Sequence, residues 1–210
     1  MVEPFEERMQ RGGDAAIAQV ERFFMRDDPV HRALHKIASR LEDLNIPHAV
    51  CGGMALVAHG YDRTTADVDI LVTQESLTQV HQNLVGLGYL PPFEKSKNLR
   101  DTELGVRIEF LVAGQFPGDG KPKPVAFPDP STCAVRLGGI SYLSLPALIE
   151  LKLASGMSNL NRLKDLADVV ELIRVLKLKR NFTLGLHPYV RPKFSELWGA
   201  VQAAPDSEER

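Results

Sequence analysis

Asp67-Val-Asp69 opens an apolar segment, Asp67 to Thr73, whose composition predicts a β-strand. With a side-chain period of two, both carboxylates emerge on one face, their α-carbons about 6.5–7 Å apart. Side chains at that separation can converge on one hard cation or bridge two. A pair of divalent ions about 3.5–4 Å apart is the usual clamp for phosphoryl and nucleotidyl transfer, and magnesium suits such a site because it takes oxygen ligands and keeps room for waters and substrate phosphates. Two carboxylates leave that site incomplete. Glu109 supplies a third acid, flanked by Ile108 and Phe110 in the alternating segment from Leu104 to Val112. A charge between apolar neighbours in a strand calls for a partner. The bland alternatives are two solvated acids at a strand edge and a Glu109 facing solvent from a half-exposed sheet.

Gly52 and Gly53 tip that balance. They lie between the short apolar strand Ile46 to Cys51 and a brief helix from Met54 to His59, with thirteen residues separating Gly53 from Asp67. Glycines at such a junction let backbone approach a phosphate, and a helix N-terminus offers free N–H donors; a tight turn needing Gly for geometry alone is the alternative. Other chemistries that use two spaced aspartates fit poorly. A haloacid-dehalogenase-type phosphatase carries its pair at the C-terminal end of an apolar strand, whereas here the apolar run follows the motif. A metal-dependent glycosyltransferase places a large nucleotide-binding half before it, and the residues ahead of Asp67 are too few.

The elements that must hold these groups follow from periodicity and punctuation. Val30, Leu34, Ile37, Leu41 and Leu44 recur at helical spacing after Pro29, and Asn45 with Pro47 ends that helix. Leu77, Val80, Leu84 and Leu87 mark another helix, stopped by Gly88. Gly114 to Pro130, rich in Pro and Gly, reads as a loop, and Val135 to Leu143 as a hairpin turning on Gly138-Gly139. Ser144 and Pro146 open a helix through Ser155; a longer one runs from about Asn161 to Leu178, and Pro192 to Val201 forms a last short one. The fold class is α/β, mixed rather than regularly doubly wound. Residues 1–28, polar with one apolar cluster at Phe23, Phe24 and Met25, are expected to form a mobile or loosely docked N-terminal arm.

Bulk composition narrows the class without naming a chemistry. The 210 residues are 44% hydrophobic and 25% charged, and 25 Lys+Arg against 27 Asp+Glu leave a net charge of -2, which excludes a binder of polyanions held by overall positive charge. Two cysteines, Cys51 and Cys133, make no disulfide framework, and no apolar run approaches the roughly 18 residues of a membrane span. A cytoplasmic protein without a membrane partner is the expectation.

Taken together, Gly52-Gly-Met-Ala55, His59-Gly60, Arg63, Thr65 and Asp67-Val-Asp69 resemble the signature of the DNA-polymerase-β-like nucleotidyltransferase superfamily, in particular its small prokaryotic branch of AbiEii-type toxins and minimal nucleotidyltransferases. Leu148-Ile-Glu-Leu-Lys152, then Arg162-Leu-Lys-Asp165 and Asp168, resemble the helical segment that follows the family's catalytic sheet. The resemblance spans about Ala49 to Leu172 and implies a mixed β-sheet flanked by helices with a helical C-terminal part. With the composition, the expected division is the arm (1–28), a catalytic core (29–145) and a helical C-terminal region (146–210). It implies Mg2+, or Mn2+, at Asp67, Asp69 and Glu109, with a nucleoside triphosphate as substrate and an acceptor hydroxyl on a protein, an RNA or a small molecule. Glu109 in place of the commoner Asp departs from the pattern; it can ligate metal or serve as general base. A toxin–antitoxin connection and a protein partner or homo-oligomer belong to the same expectation. The rival from another class is a catalytically inactive, antitoxin-like regulator that binds a nucleotide or a partner.

Several cations have two readings. Arg63 and Thr65 lie in the loop where a triphosphate would sit, Arg63 suiting phosphate oxygens through its planar fork or pairing with Asp62 or Asp67. Lys152, in an otherwise apolar helix, reaches the triphosphate or snorkels to solvent. Lys164 and Asp168 are spaced for an i,i+4 ion pair. His59 is expected to cap the short helix. Lys177, Lys179 and Arg180 complement a helix C-terminus.

Overall fold

In the computed structural model, which describes residues 3–10 and 13–203, the N-terminal segment forms helices α1 (Phe5–Gln10) and α2 (Gly13–Phe24). Residues 1–2, 11–12 and 204–210, parts of the expected arm and polar tail, lie outside the described residues. The segment packs on the core instead of hanging loosely from it. Phe5 and Phe23 are buried to 3% and 4% exposure. The Phe5 N–H donates to the Gly105 carbonyl at 3.2 Å, and Arg100 donates to Glu6 at 2.6 Å. The one apolar cluster sits in an otherwise polar and charged segment, which is why the sequence reads as an arm.

Helix α3 (Pro29–Asp43) starts where the punctuation predicts. Asp28, fully buried, caps it by accepting from the N–H groups of Val30 at 2.7 Å and His31 at 3.3 Å, with Pro29 in the first turn. Its far end closes on Asn45 in the left-handed region (φ 53°), whose N–H reaches the Glu42 carbonyl. Val30, Leu34, Ile37 and Leu41 are buried against the sheet.

The chain then builds a seven-stranded sheet from β1 (His48–Cys51), β2 (Asp67–Val72), β3 (Tyr89–Leu90), β4 (Leu99–Asp101), β5 (Arg107–Val112), β6 (Ala134–Leu137) and β7 (Ile140–Leu143). The order is β3-β4-β5-β2-β1-β7-β6. β1 and β2 pair antiparallel, β2 and β5 parallel, β1 and β7 parallel, so the sheet is mixed, as the expected class requires. β3 and β4 went unpredicted because two- and three-residue strands are too short to show a period; the fully buried Tyr89 and Leu99 anchor them.

Helix α4 (Gly52–Ala58) joins β1 to the loop before β2, and α5 (Gln74–Leu84) follows β2 under a Thr73 cap. The single-turn α6 (Pro130–Cys133) leads into the β6–β7 hairpin, which turns on Gly138-Gly139, both with positive φ. Helices α7 (Leu145–Ser158) and α8 (Leu163–Val175) then pack face to face, and α9 (Arg191–Ala203) is the last helix among the described residues. α7 and α8 approach closely at Gly156, where a Cβ would lie 2.5 Å from the Leu166 side chain. Among the described residues, no helix is long and apolar enough to cross a membrane.

Replacing the buried Phe23 by Ala is expected to cost about 3 kcal/mol in denaturant unfolding, as core aromatic truncations do. A loosely docked arm would give less than about 0.5 kcal/mol.

Candidate active site

Strand register brings the three acids together. In the parallel pairing of β2 with β5, Asp67 lies opposite Arg107 and Asp69 opposite Glu109. The period-two alternation sends Val68, Ile70, Ile108 and Phe110, all fully buried, to the other face. On the shared face, one carboxylate oxygen from each of Asp67, Asp69 and Glu109 falls within 4.8 Å of the others. All three side chains are half-buried. Glu109 therefore does not face open solvent, and its carboxylate contacts the Arg107 guanidinium.

Beside them, β1 runs antiparallel to β2, so Cys51 pairs with Asp69 and the chain enters α4 directly against the acids. Gly52 sits at φ +60°, and a Cβ there would fall 1.8 Å from Asp69 Oδ2. A Cβ on Gly53 would fall 2.7 Å from Thr65 Cβ. Both glycines are thus required by space, Gly52 by backbone conformation as well. Thr65 donates its hydroxyl to Asp67 Oδ1 at 2.9 Å, orienting that carboxylate. His59 holds the cap position of α4, and its Nε2–H donates to the Leu143 carbonyl at 2.8 Å, tying α4 to β7.

Crowding shows in the electrostatics. Burial, then the neighbouring Asp67 charge, push the Asp69 carboxyl from its ordinary value up to about 6; Lys152, Arg162 and Lys164 pull the other way. A cation placed among the three acids would relieve both effects. Three oxygen donors at this spacing fit a hard divalent ion such as Mg2+.

The acids form one side of a cavity of about 330 Å³. Every nucleotide-site residue singled out in the sequence, namely Gly52, Gly53, Arg63, Thr65 and Lys152, lines it. Two of the cations nevertheless have partners the sequence did not suggest. Arg63 pairs with neither Asp62 nor Asp67; its Nη1 donates to both oxygens of Asp168, at 2.8 and 2.9 Å. Lys152 does not snorkel: it is 8% exposed and donates to Asp165 at 3.0 Å and Asp168 at 2.6 Å. The expected Lys164–Asp168 pair is absent among the described residues, because Asp168 turns inward to α7 and Arg63 while Lys164 faces the cavity.

Asp165 completes this network by accepting from Ser155 at 2.7 Å and Arg162 at 3.0 Å. Its burial works to raise its pKa, but the Lys152 charge and these hydrogen bonds outweigh that and hold it below the ordinary value. Sequence reasoning also missed Arg107, although its two-residue spacing from Glu109 puts both on one strand face. Pro117, Gly118 and Phe127, from the 114–130 loop, line the cavity with no signal beyond their turn chemistry.

No protein-family model and no curated protein matches the chain. Among solved structures it is similar to a provisionally assigned nucleotidyltransferase from Thermotoga maritima (18% identity, TM-score 0.46, covering 65% of this chain and 89% of that one). It is also similar to ANT(2″)-Ia in complex with adenylyl-2″-tobramycin (13% identity, TM-score 0.49, 82% and 96% covered). A third likeness is to an antigenic nucleotidyltransferase-like protein from Paracoccidioides brasiliensis (16% identity, TM-score 0.48, 85% and 89% covered).

Because the Asp69 carboxyl titrates near 6, above its unfolded value, its ionisation costs stability above that pH, and the cost vanishes below the ordinary carboxylate range. Asp69→Asn should therefore raise the melting temperature of the metal-free protein at pH 8, with the gain fading toward pH 4. Gly52→Ala should instead lower it at both pH values, since the new Cβ and the positive φ are both unfavourable.

Proposed function

We propose that this chain is a Mg2+-dependent nucleotidyltransferase that moves a nucleoside monophosphate from a nucleoside triphosphate to an acceptor hydroxyl. The observation that carries the reading is the convergence of Asp67, Asp69 and Glu109 within 4.8 Å, beside a glycine pair that lines the same cavity. Support comes also from the cations of the same cavity, Lys152, Arg162 and Lys164, whose charges bear on Asp69.

Asp67, Asp69 and Glu109 would hold the metal, which when bound supplies charge neutralisation for the phosphates. Gly52 and Gly53 hold the triphosphate through their backbone, and Thr65 keeps Asp67 turned toward the site. The acceptor oxygen attacks the α-phosphorus in line, the bond to the β-phosphate oxygen breaks, and pyrophosphate leaves. Glu109 takes the hydroxyl proton. Positioning and fixed electrostatics supply most of the rate, since the chain offers no covalent chemistry of its own.

Titration calorimetry with Mg2+ and each nucleoside triphosphate should show saturable binding. Pyrophosphate release should follow when a protein, RNA or small-molecule hydroxyl acceptor is supplied. Asp67→Ala/Asp69→Ala should abolish metal-dependent nucleotide binding with the fold intact by circular dichroism; unchanged binding would sink the site. Tight binding without pyrophosphate release under any acceptor moves the conclusion to the non-catalytic regulator.

A further inference from the structure

The buried ion network decides which cations remain for a ligand. Asp165 and Asp168 are each 4% exposed, and carboxylates so placed must keep their partners. Lys152 serves both of them, Arg63 grips Asp168, and Arg162 binds Asp165 through Nε. Arg107 lies against Glu109. Of the cations lining the cavity, Lys164 alone has neither an ion pair nor a hydrogen bond among the described residues. It is exposed, it stands in the first turn of α8, and its charge bears on Asp69.

We infer that Lys164 is the side chain that meets the triphosphate charge, and that Arg63 is a positioning residue. Asp168 fixes Arg63 and with it the 61–66 loop, whose Thr65 orients Asp67. Drawing Arg63 or Lys152 onto a phosphate would break one of the two ion pairs that hold the buried Asp168, whereas Lys164 loses only water. An ammonium on a flexible stem also suits a group that must leave as pyrophosphate, because it makes point contacts and no rigid bidentate grip. The inference rests on the nucleotidyltransferase reading.

The test begins with the wild-type chain and each of the four common nucleoside triphosphates in Mg2+. If none binds, the nucleotidyltransferase reading itself falls and this assignment with it. With the tightest of them, Lys164→Gln should weaken binding about tenfold or more, the loss expected for a charged hydrogen bond. Lys164→Arg should restore most of that loss, with the ligand-free fold intact by circular dichroism in both variants. A loss under fivefold for Lys164→Gln overturns the assignment even though the wild type binds. For Arg63, the readout is Mn2+ affinity without nucleotide, followed by paramagnetic resonance well below the melting temperature. Arg63→Gln should weaken Mn2+ about tenfold, as lost outer-shell support does. Phe23→Ala, destabilised but outside the cavity lining, should not change it. Unchanged Mn2+ affinity in Arg63→Gln overturns its positioning role.

Discussion

Carboxylates forced side by side on a half-buried face repel one another and lose water. A fold that does this to Asp67, Asp69 and Glu109 needs rigid surroundings to hold them there. The parallel alignment of β2 with β5 is the constraint that does it. A shift of one residue would send Asp69 and Glu109 to opposite faces and turn either Ile70 or Phe110, both fully buried, into the cavity. The hydrophobic face of the sheet therefore enforces the register, and the register enforces the cluster. The resulting cost shows at Asp69, whose pKa is raised by burial and by Asp67.

Around that cluster the remaining structure works as supports. Gly52 and Gly53 allow α4 to begin in contact with Asp69 and Thr65, where any side chain would collide. On the opposite wall, α7 and α8 meet closely at Gly156 and enclose the Lys152–Asp165–Asp168 network, which reaches across to Arg63. The C-terminal helices thus hold the loop that leads into β2. The N-terminal helices do comparable service elsewhere, with Glu6 on Arg100 of β4 and Phe5 on the turn at Gly105.

Much of this was legible in the residues. The α3 boundaries followed from Asp28, Pro29 and Asn45 because caps act locally, and the hairpin followed from Gly138-Gly139 for the same reason. Asp67 and Asp69 on one face followed from the strand period alone. What failed did so for want of long-range information. Arg63 and Asp168 are 105 positions apart, so no spacing rule could pair them. Lys164 and Asp168 obeyed a helical rule that holds for exposed faces, but here the acid faces inward and the lysine faces the cavity.

The order of glycine pair, paired aspartates and strand glutamate was set by the sequence itself, because chemical type and local periodicity survive without a fold. Which cation stands free was decided only by the tertiary structure. A buried carboxylate claims whatever positive charge the packing brings to it, and packing depends on elements distant in the chain. That physics turned Lys152 and Arg63 inward and left Lys164 beside the acids.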